Sequence, residues 1–121
     1  MKYALVVDDS SVIRKVARRI LEGMSFEVQE AKDGKEAYDI CLRRMPDTII
    51  VDQEMPVMNG YEFLRSLRSL DHGLTPRVLF CTTENDVSQI AKAIHSGADE
   101  YLLKPFDRAL LTKKMAEIGM V

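Results

Sequence analysis

The chain has no tryptophan and only two cysteines, Cys41 and Cys81, among its 121 residues. The cysteines stand singly, without the short spacings of a metal or redox motif, so a disulfide scaffold, a zinc cluster and a redox pair are all unsupported. Each reads as a small buried apolar side chain. The lack of tryptophan leaves no indole fluorescence to report on a site. Long hydrophobic runs are also missing. Stretches such as Ala4-Leu5-Val6-Val7 and Val78-Leu79-Phe80-Cys81 fall far short of the roughly 20 residues that a membrane span needs. Met1-Lys2-Tyr3-Ala4 runs straight into a strand-like segment with no secretory leader, so the expected location is the cytoplasm and no membrane partner is expected. Charge of one sign is scarce as well. Lys plus Arg number 17 against 19 Asp plus Glu, a formal charge of -2 with a pI near 5.7. That balance argues against a nucleic-acid surface spread over the whole domain and leaves room only for a local basic patch. Linkers and low-complexity segments are absent. What is present is 46% hydrophobic and 30% charged residues, enough for a core and for solubility, in a length that fits one domain over residues 1–121.

The apolar pattern alternates between two periods. Tyr3 to Val7 is a short continuous apolar run. It is followed by Asp8-Asp9-Ser10-Ser11 and then by Val12, Ile13, Val16, Ala17, Ile20 and Leu21 at helical spacing. Ser10 or Ser11 can cap that helix and Gly23 can end it, with a second strand from Phe26 to Val28 or a little beyond. Asp33-Gly34 makes a turn before a helix carrying Ala37, Tyr38, Cys41 and Leu42, which stops before Pro46. Thr48 to Val51 is a third strand ending at Asp52, and Tyr61, Phe63, Leu64, Leu67 and Leu70 mark a third helix. Arg77 to Cys81 is a fourth strand. Val87, Ile90, Ala91 and Ile94 form a helix up to Gly97, Tyr101 to Leu103 a fifth strand, and Ala109 to Ile118 a last helix. Strands without polar alternation belong to a parallel sheet covered on both faces. The expected fold is therefore an α/β three-layer sandwich, (βα)5, with its site outside the carboxyl ends of the strands.

The residues at those ends form one constellation. Asp8 and Asp9 follow the first strand, Asp52 the third, Thr82 the fourth, and Lys104, then Pro105, the fifth. Carboxylates so gathered repel one another and raise their own pKa values unless a cation sits among them. Oxygen ligands without His or Cys suit Mg²⁺. A carboxylate beside that ion, with an ammonium and a hydroxyl in reach, can accept a phosphoryl group as an aspartyl phosphate.

Val7-Asp8-Asp9-Ser10, Val51-Asp52, Met55-Pro56-Val57-Met58-Asn59-Gly60, Thr82, Gly97-Ala98-Asp99 and Lys104-Pro105-Phe106 together resemble the receiver domain of bacterial response regulators. The resemblance covers essentially the whole chain. It implies a flavodoxin-like, five-stranded parallel sheet in the order 2-1-3-4-5, and it implies that Asp52 is the phosphoacceptor for a histidine kinase or histidine phosphotransfer domain. By the same resemblance Asp8, Asp9, Asp52 and the backbone carbonyl of Glu54 organise Mg²⁺, Lys104 and Thr82 bind the phosphoryl oxygens, and Lys104-Pro105 is cis. Thr82 and Tyr101 become the switch, the hydroxyl moving to the phosphate and the ring turning inward.

Plainer readings apply to several residues. Arg14, Lys15, Arg18 and Arg19 are equally a solvated helix face and a kinase-docking surface. Arg43-Arg44 reads as favourable charge at a helix C-terminus, Met55 and Met58 as gap-fillers, and His72 and His95 carry no evident chemistry. Three positions depart from the commonest family pattern. Glu54 could pair with Lys104 or crowd the metal, Thr83 narrows the approach to Asp52, and Glu84 is an acid where some relatives influence the attacking water. The resemblance implies a chemotaxis-like, single-domain regulator, monomeric with dimerisation on activation left open. Its output would go to an unknown protein through helix four, strand five and helix five, and its catalysis would be limited to its own phosphorylation and dephosphorylation. A relay intermediate or phosphate sink is the alternative within signalling. A Mg²⁺-dependent phosphatase of the haloacid dehalogenase type is the alternative outside it.

Overall fold

The structure is a computed structural model, and it describes residues 1–83 and 86–121. Five strands and five helices alternate: β1 (Tyr3–Val7), α1 (Ser11–Gly23), β2 (Glu27–Ala31), α2 (Gly34–Arg43), β3 (Thr48–Asp52), α3 (Gly60–Arg68), β4 (Arg77–Thr82), α4 (Val87–His95), β5 (Glu100–Leu103) and α5 (Arg108–Glu117). All pairings are parallel and the strand order is β2-β1-β3-β4-β5, the expected one. No helix among the described residues is long and apolar enough to cross a membrane.

Period-two alternation along the central strands builds two cores rather than one wet and one dry face. Leu5, Val7, Ile49, Val51, Val78 and Phe80 meet Ala37, Cys41, Phe63, Leu64 and Leu67 on the side of α2 and α3. Ala4, Val6, Ile50, Leu79 and Cys81 meet Ala17, Leu21, Leu111 and Met115 of α1 and α5 on the other. Both cysteines are buried and free, and Met55 and Met58 pack against the first core as gap-fillers.

Helix starts follow short polar caps whose side chains take an otherwise orphaned N–H. Ser10, Asp33, Asn59, Asp86 and Asp107 accept from the first turns of α1 to α5 in order. Of the two serines before α1, Ser10 is the cap. Asn59 and Glu62 complete a reciprocal capping box on α3.

Several boundaries differ from the periodicity: Thr82 ends β4 rather than following it, Ile118 lies just past α5, and two apolar residues fall outside their elements. Phe26 is a turn residue, because its N–H bonds Leu21 O at the end of α1 rather than a strand, and its ring joins the α1 side of the core. Leu70 lies beyond α3, where its N–H bonds Leu67 O in a turn. Nearby, the Arg68 guanidinium gathers the carbonyls of Gly73, Pro76 and Gly97 and reaches Asp99. Gly97 takes φ +122° there, and a Cβ would stand 2.8 Å from Arg68 Cγ.

Gly60 brings α3 against the end of β3. A Cβ at this position would sit 2.5 Å from Asp52 O and 2.8 Å from Phe80 Cε1, atoms of a strand and a packed ring. Gly60→Ala is therefore expected to lower the unfolding free energy by about 1–3 kcal/mol. Urea denaturation followed by circular dichroism checks this, and an unchanged midpoint would show that α3 can back away freely.

Candidate functional site

Backbone bonds continue the sheet ladder one residue past the strands. Asp8 N donates to Ala31 O, Gln53 N to Cys81 O and Lys104 N to Thr82 O. These bonds hold the polar residues that follow β1, β3 and β5 at one edge. Asp8, Asp52 and Thr82 are buried there, while Asp9 is exposed. One carboxylate oxygen from each of Asp8, Asp9 and Asp52 lies within 4.8 Å of the others. Lys104, joined to Pro105 by a cis bond, places Nζ 2.7 Å from both Asp8 Oδ2 and Asp52 Oδ1. Asp52, Gln53, Glu54, Thr82, Thr83 and Lys104 line a cleft of about 150 Å³.

Burial pushes the Asp52 carboxyl above its usual range, and the charges of Asp8 and Asp9 add to that push against the pull of Lys104. Burial would lower the Lys104 ammonium, but its bonds to Asp52 and Asp8 outweigh burial and raise it. The donor set fits a hard divalent cation: three converging carboxylates and no nitrogen or sulfur ligand among them. Asp8, Asp9 and Asp52 are the side chains that would hold it, and the Glu54 carbonyl, two residues past Asp52, belongs to the loop at the same edge.

Several side chains are placed differently from the sequence reading. Glu54 does not pair with Lys104, whose ammonium is engaged by Asp8 and Asp52. Its carboxylate is 3.4 Å from Gln53 Nε2. Arg14, Lys15 and Arg18 converge on Glu30 of β2 at 2.7–3.0 Å. Arg14 also donates to Asp8 O at 2.7 Å, tying that cluster to the site. Lys15 and Arg19 remain exposed, Lys15 while paired with Glu30. Arg44 is not only a helix-end charge, since it pairs with Glu27 and stacks 4.1 Å over the Tyr3 ring. Thr83 is exposed in the cleft wall, and Glu84 lies outside the described residues. Tyr101 is half-buried, with Lys114 Nζ 4.0 Å from its ring centre. Thr82 donates to Gln53 Oε1 at 2.6 Å in a buried bond. Sequence reading passed over Gln53, and its position directly after Asp52 was the available signal.

A larger cleft, about 400 Å³, is lined by Cys41, Leu42, Met45, Leu70, Asp71 and His72. Burial pushes the Cys41 thiol up to about 12, which removes it as a nucleophile at neutral pH. The carboxylates and the ammonium meet in the smaller cleft.

A family model for the response regulator receiver domain matches residues 4–116. The chain belongs to this receiver family. It is 38% identical over 111 residues to the response regulator MprA of Mycolicibacterium vanbaalenii, covering 92% of this chain and 47% of that protein. MprA of Mycobacterium avium matches equally, over 48% of its length, so the chain spans about half of these curated relatives. Among solved structures, the chemotaxis response regulator CheY4 of Vibrio cholerae superposes with TM-score 0.92 at 34% identity, covering 98% of both chains. The receiver domain of a Pseudomonas aeruginosa sensor histidine kinase, at 28% identity, TM-score 0.87 and 98% coverage of both chains, holds a magnesium ion in its active-site cleft. This receiver domain therefore shares its sheet order and layering with relatives on both sides of two-component signalling.

Two predictions follow from the ion pairs. Burial raises the Glu30 carboxyl, but bonds from Lys15, Arg18 and Arg14 outweigh it and hold the group down at about 2, below an ordinary 4.5. A carboxyl depressed in the folded state stabilises above its unfolded pKa, and that contribution fades as pH falls toward the folded value. Glu30→Gln should cost about 1–2 kcal/mol near neutral pH. Its gap to the wild type should close as pH falls from about 4.5 to about 2, as read by denaturant unfolding at each pH. Lys104→Met takes one positive charge from the carboxylate cluster and should tighten Mg²⁺ binding by about tenfold, measured by calorimetric titration. Unchanged or weaker binding would mean that Lys104 does not oppose the metal.

Proposed function

We propose that this receiver domain is a phosphorylation-controlled switch in which Asp52 takes a phosphoryl group from a histidine kinase or a histidine phosphotransfer domain. The observation that carries the reading is the shared ammonium. Lys104 Nζ lies 2.7 Å from Asp8 and from Asp52, beside the third carboxylate of Asp9. An Asp52 oxygen attacks phosphorus, the P–N bond to the donor imidazole breaks, and the imidazole leaves with its electron pair and takes up a proton. Asp8, Asp9, Asp52 and the Glu54 carbonyl would hold Mg²⁺, which when bound would supply neutralising charge for the phosphoryl oxygens. Lys104 has three N–H donors and can turn one from Asp52 to the phosphoryl group while keeping Asp8. Thr82 provides a hydroxyl on the other side of the cleft, and Tyr101 reports the change at the surface.

Support for output by protein contact comes from α4. Ala93 is its one buried residue, and Val87 and Ile94 are exposed large hydrophobics. The face of α4, β5 and α5 around Tyr101 is the proposed partner surface, and Val12 and Val16, exposed on α1, suit kinase docking. The 34% identity to CheY4 over nearly its whole length favours a chemotaxis-like regulator. The half-length match to MprA favours a receiver that instructs a further domain, and a relay or phosphate-sink role would show as return transfer to a histidine phosphotransfer domain. The proposal places the domain in the cytoplasm as a monomer that binds neither membrane nor nucleic acid, and limits its catalysis to its own phosphorylation state.

Incubation with acetyl phosphate, with and without Mg²⁺, followed at once by intact mass, tests the reading. The expected result is a metal-dependent gain of one phosphoryl group that is lost in Asp52→Asn. No gain from acetyl phosphate or from a histidine kinase would overturn the reading, and sustained release of phosphate from a small ester would favour a phosphatase.

A further inference from the structure

The Thr82 hydroxyl donates to Gln53 Oε1 at 2.6 Å in a buried bond. Gln53 is a rigid acceptor. Its N–H donates to Cys81 O and its carbonyl accepts from Gly60 N, and the residue is 7% exposed. The side-chain amide nitrogen faces the other way, 3.4 Å from Glu54 Oε1, which orients the amide oxygen toward Thr82. Both residues line the cleft that holds Asp52 and Lys104.

A phosphoryl group on Asp52 offers strong acceptor oxygens. Donation from Thr82 to it gives up the 2.6 Å bond to Gln53, and giving up a buried hydrogen bond carries a cost. We propose that Gln53 is a positioning residue that holds the Thr82 hydroxyl in the unphosphorylated arrangement, so that the strength of this one acceptor sets how readily the switch turns on. The inference rests on the reading of Asp52 as phosphoacceptor. It makes the side chain directly after the phosphoacceptor a control on the switch equilibrium, distinct from the groups that bind metal or phosphate.

Gln53→Met keeps length and volume and removes the acceptor. Beryllofluoride, a tetrahedral phosphoryl mimic, is titrated calorimetrically at saturating Mg²⁺ into wild type, Gln53→Met, Thr82→Val and the double variant, with thermal unfolding recorded for each. Gln53→Met is expected to bind about fivefold tighter than wild type, and the gain should vanish in the Thr82→Val background, a dependence that a merely structural effect would lack. Should Gln53→Met fail to fold, Gln53→Asn, which withdraws the acceptor by one methylene, is read in the same way. Equal affinity in Gln53→Met and wild type, or a gain that survives in Thr82→Val, overturns the proposal. Failure of wild type itself to bind beryllofluoride would instead remove the phosphoacceptor reading, and this inference with it.

Discussion

One ammonium shared by two buried carboxylates organises this end of the molecule. Lys104 touches Asp8 and Asp52 at 2.7 Å each, and the three residues come from the ends of three different strands. Acids this close to one another and this shielded from water would hold their protons or push the strand ends apart without a cation between them. The sheet order puts β1 and β3 side by side and β5 two strands away, so only a long side chain from β5 can reach back to both acids. The cleft exists because that reach is satisfied. Its acidity and the convergence of three carboxylates on one point follow from the same charge arrangement.

The two halves of the sheet are built for different duties. On the β2 side, Glu30 collects Arg14, Lys15 and Arg18, and Arg14 continues to the Asp8 carbonyl. Charge-assisted bonds of this kind hold the backbone at Asp8 in place. On the β5 side, contacts among the described residues include a hydroxyl on an amide at Thr82 and a ring under an ammonium at Tyr101. Farther along, Arg68 ties α3 to the carbonyls around Gly97 and to Asp99, which anchors the connection between α4 and β5.

The fold was largely legible because each βα unit announces itself by a change of hydrophobic period and by a capping residue, as at Asp33-Gly34 and Asn59-Gly60. Where the reading slipped, at Phe26 and Leu70, an apolar side chain joined the core from a turn, and periodicity alone cannot tell a turn residue from an element that also faces inward. Asp8, Asp9, Asp52 and Lys104 were legible because they follow strands in a parallel sheet. Partnerships between elements were not. Nothing in the local pattern says that three cations of α1 meet Glu30, that Lys114 covers Tyr101, or that Gln53 takes the Thr82 proton. Each depends on packing between segments distant in sequence. Glu54 drew attention as an unusual residue, yet its buried neighbour Gln53 is the one in contact with Thr82.

The ladder bonds that run one residue past the strands, Asp8 N to Ala31 O, Gln53 N to Cys81 O and Lys104 N to Thr82 O, are made entirely by main chain. They ask nothing of the side chains they carry. The frame that aims the reactive groups is therefore separable from the groups themselves, and residues at these positions can be exchanged over evolutionary time while the backbone keeps its course. A lineage can retime its signal by rewriting one side chain at the edge of the sheet without having to reinvent the protein that carries it.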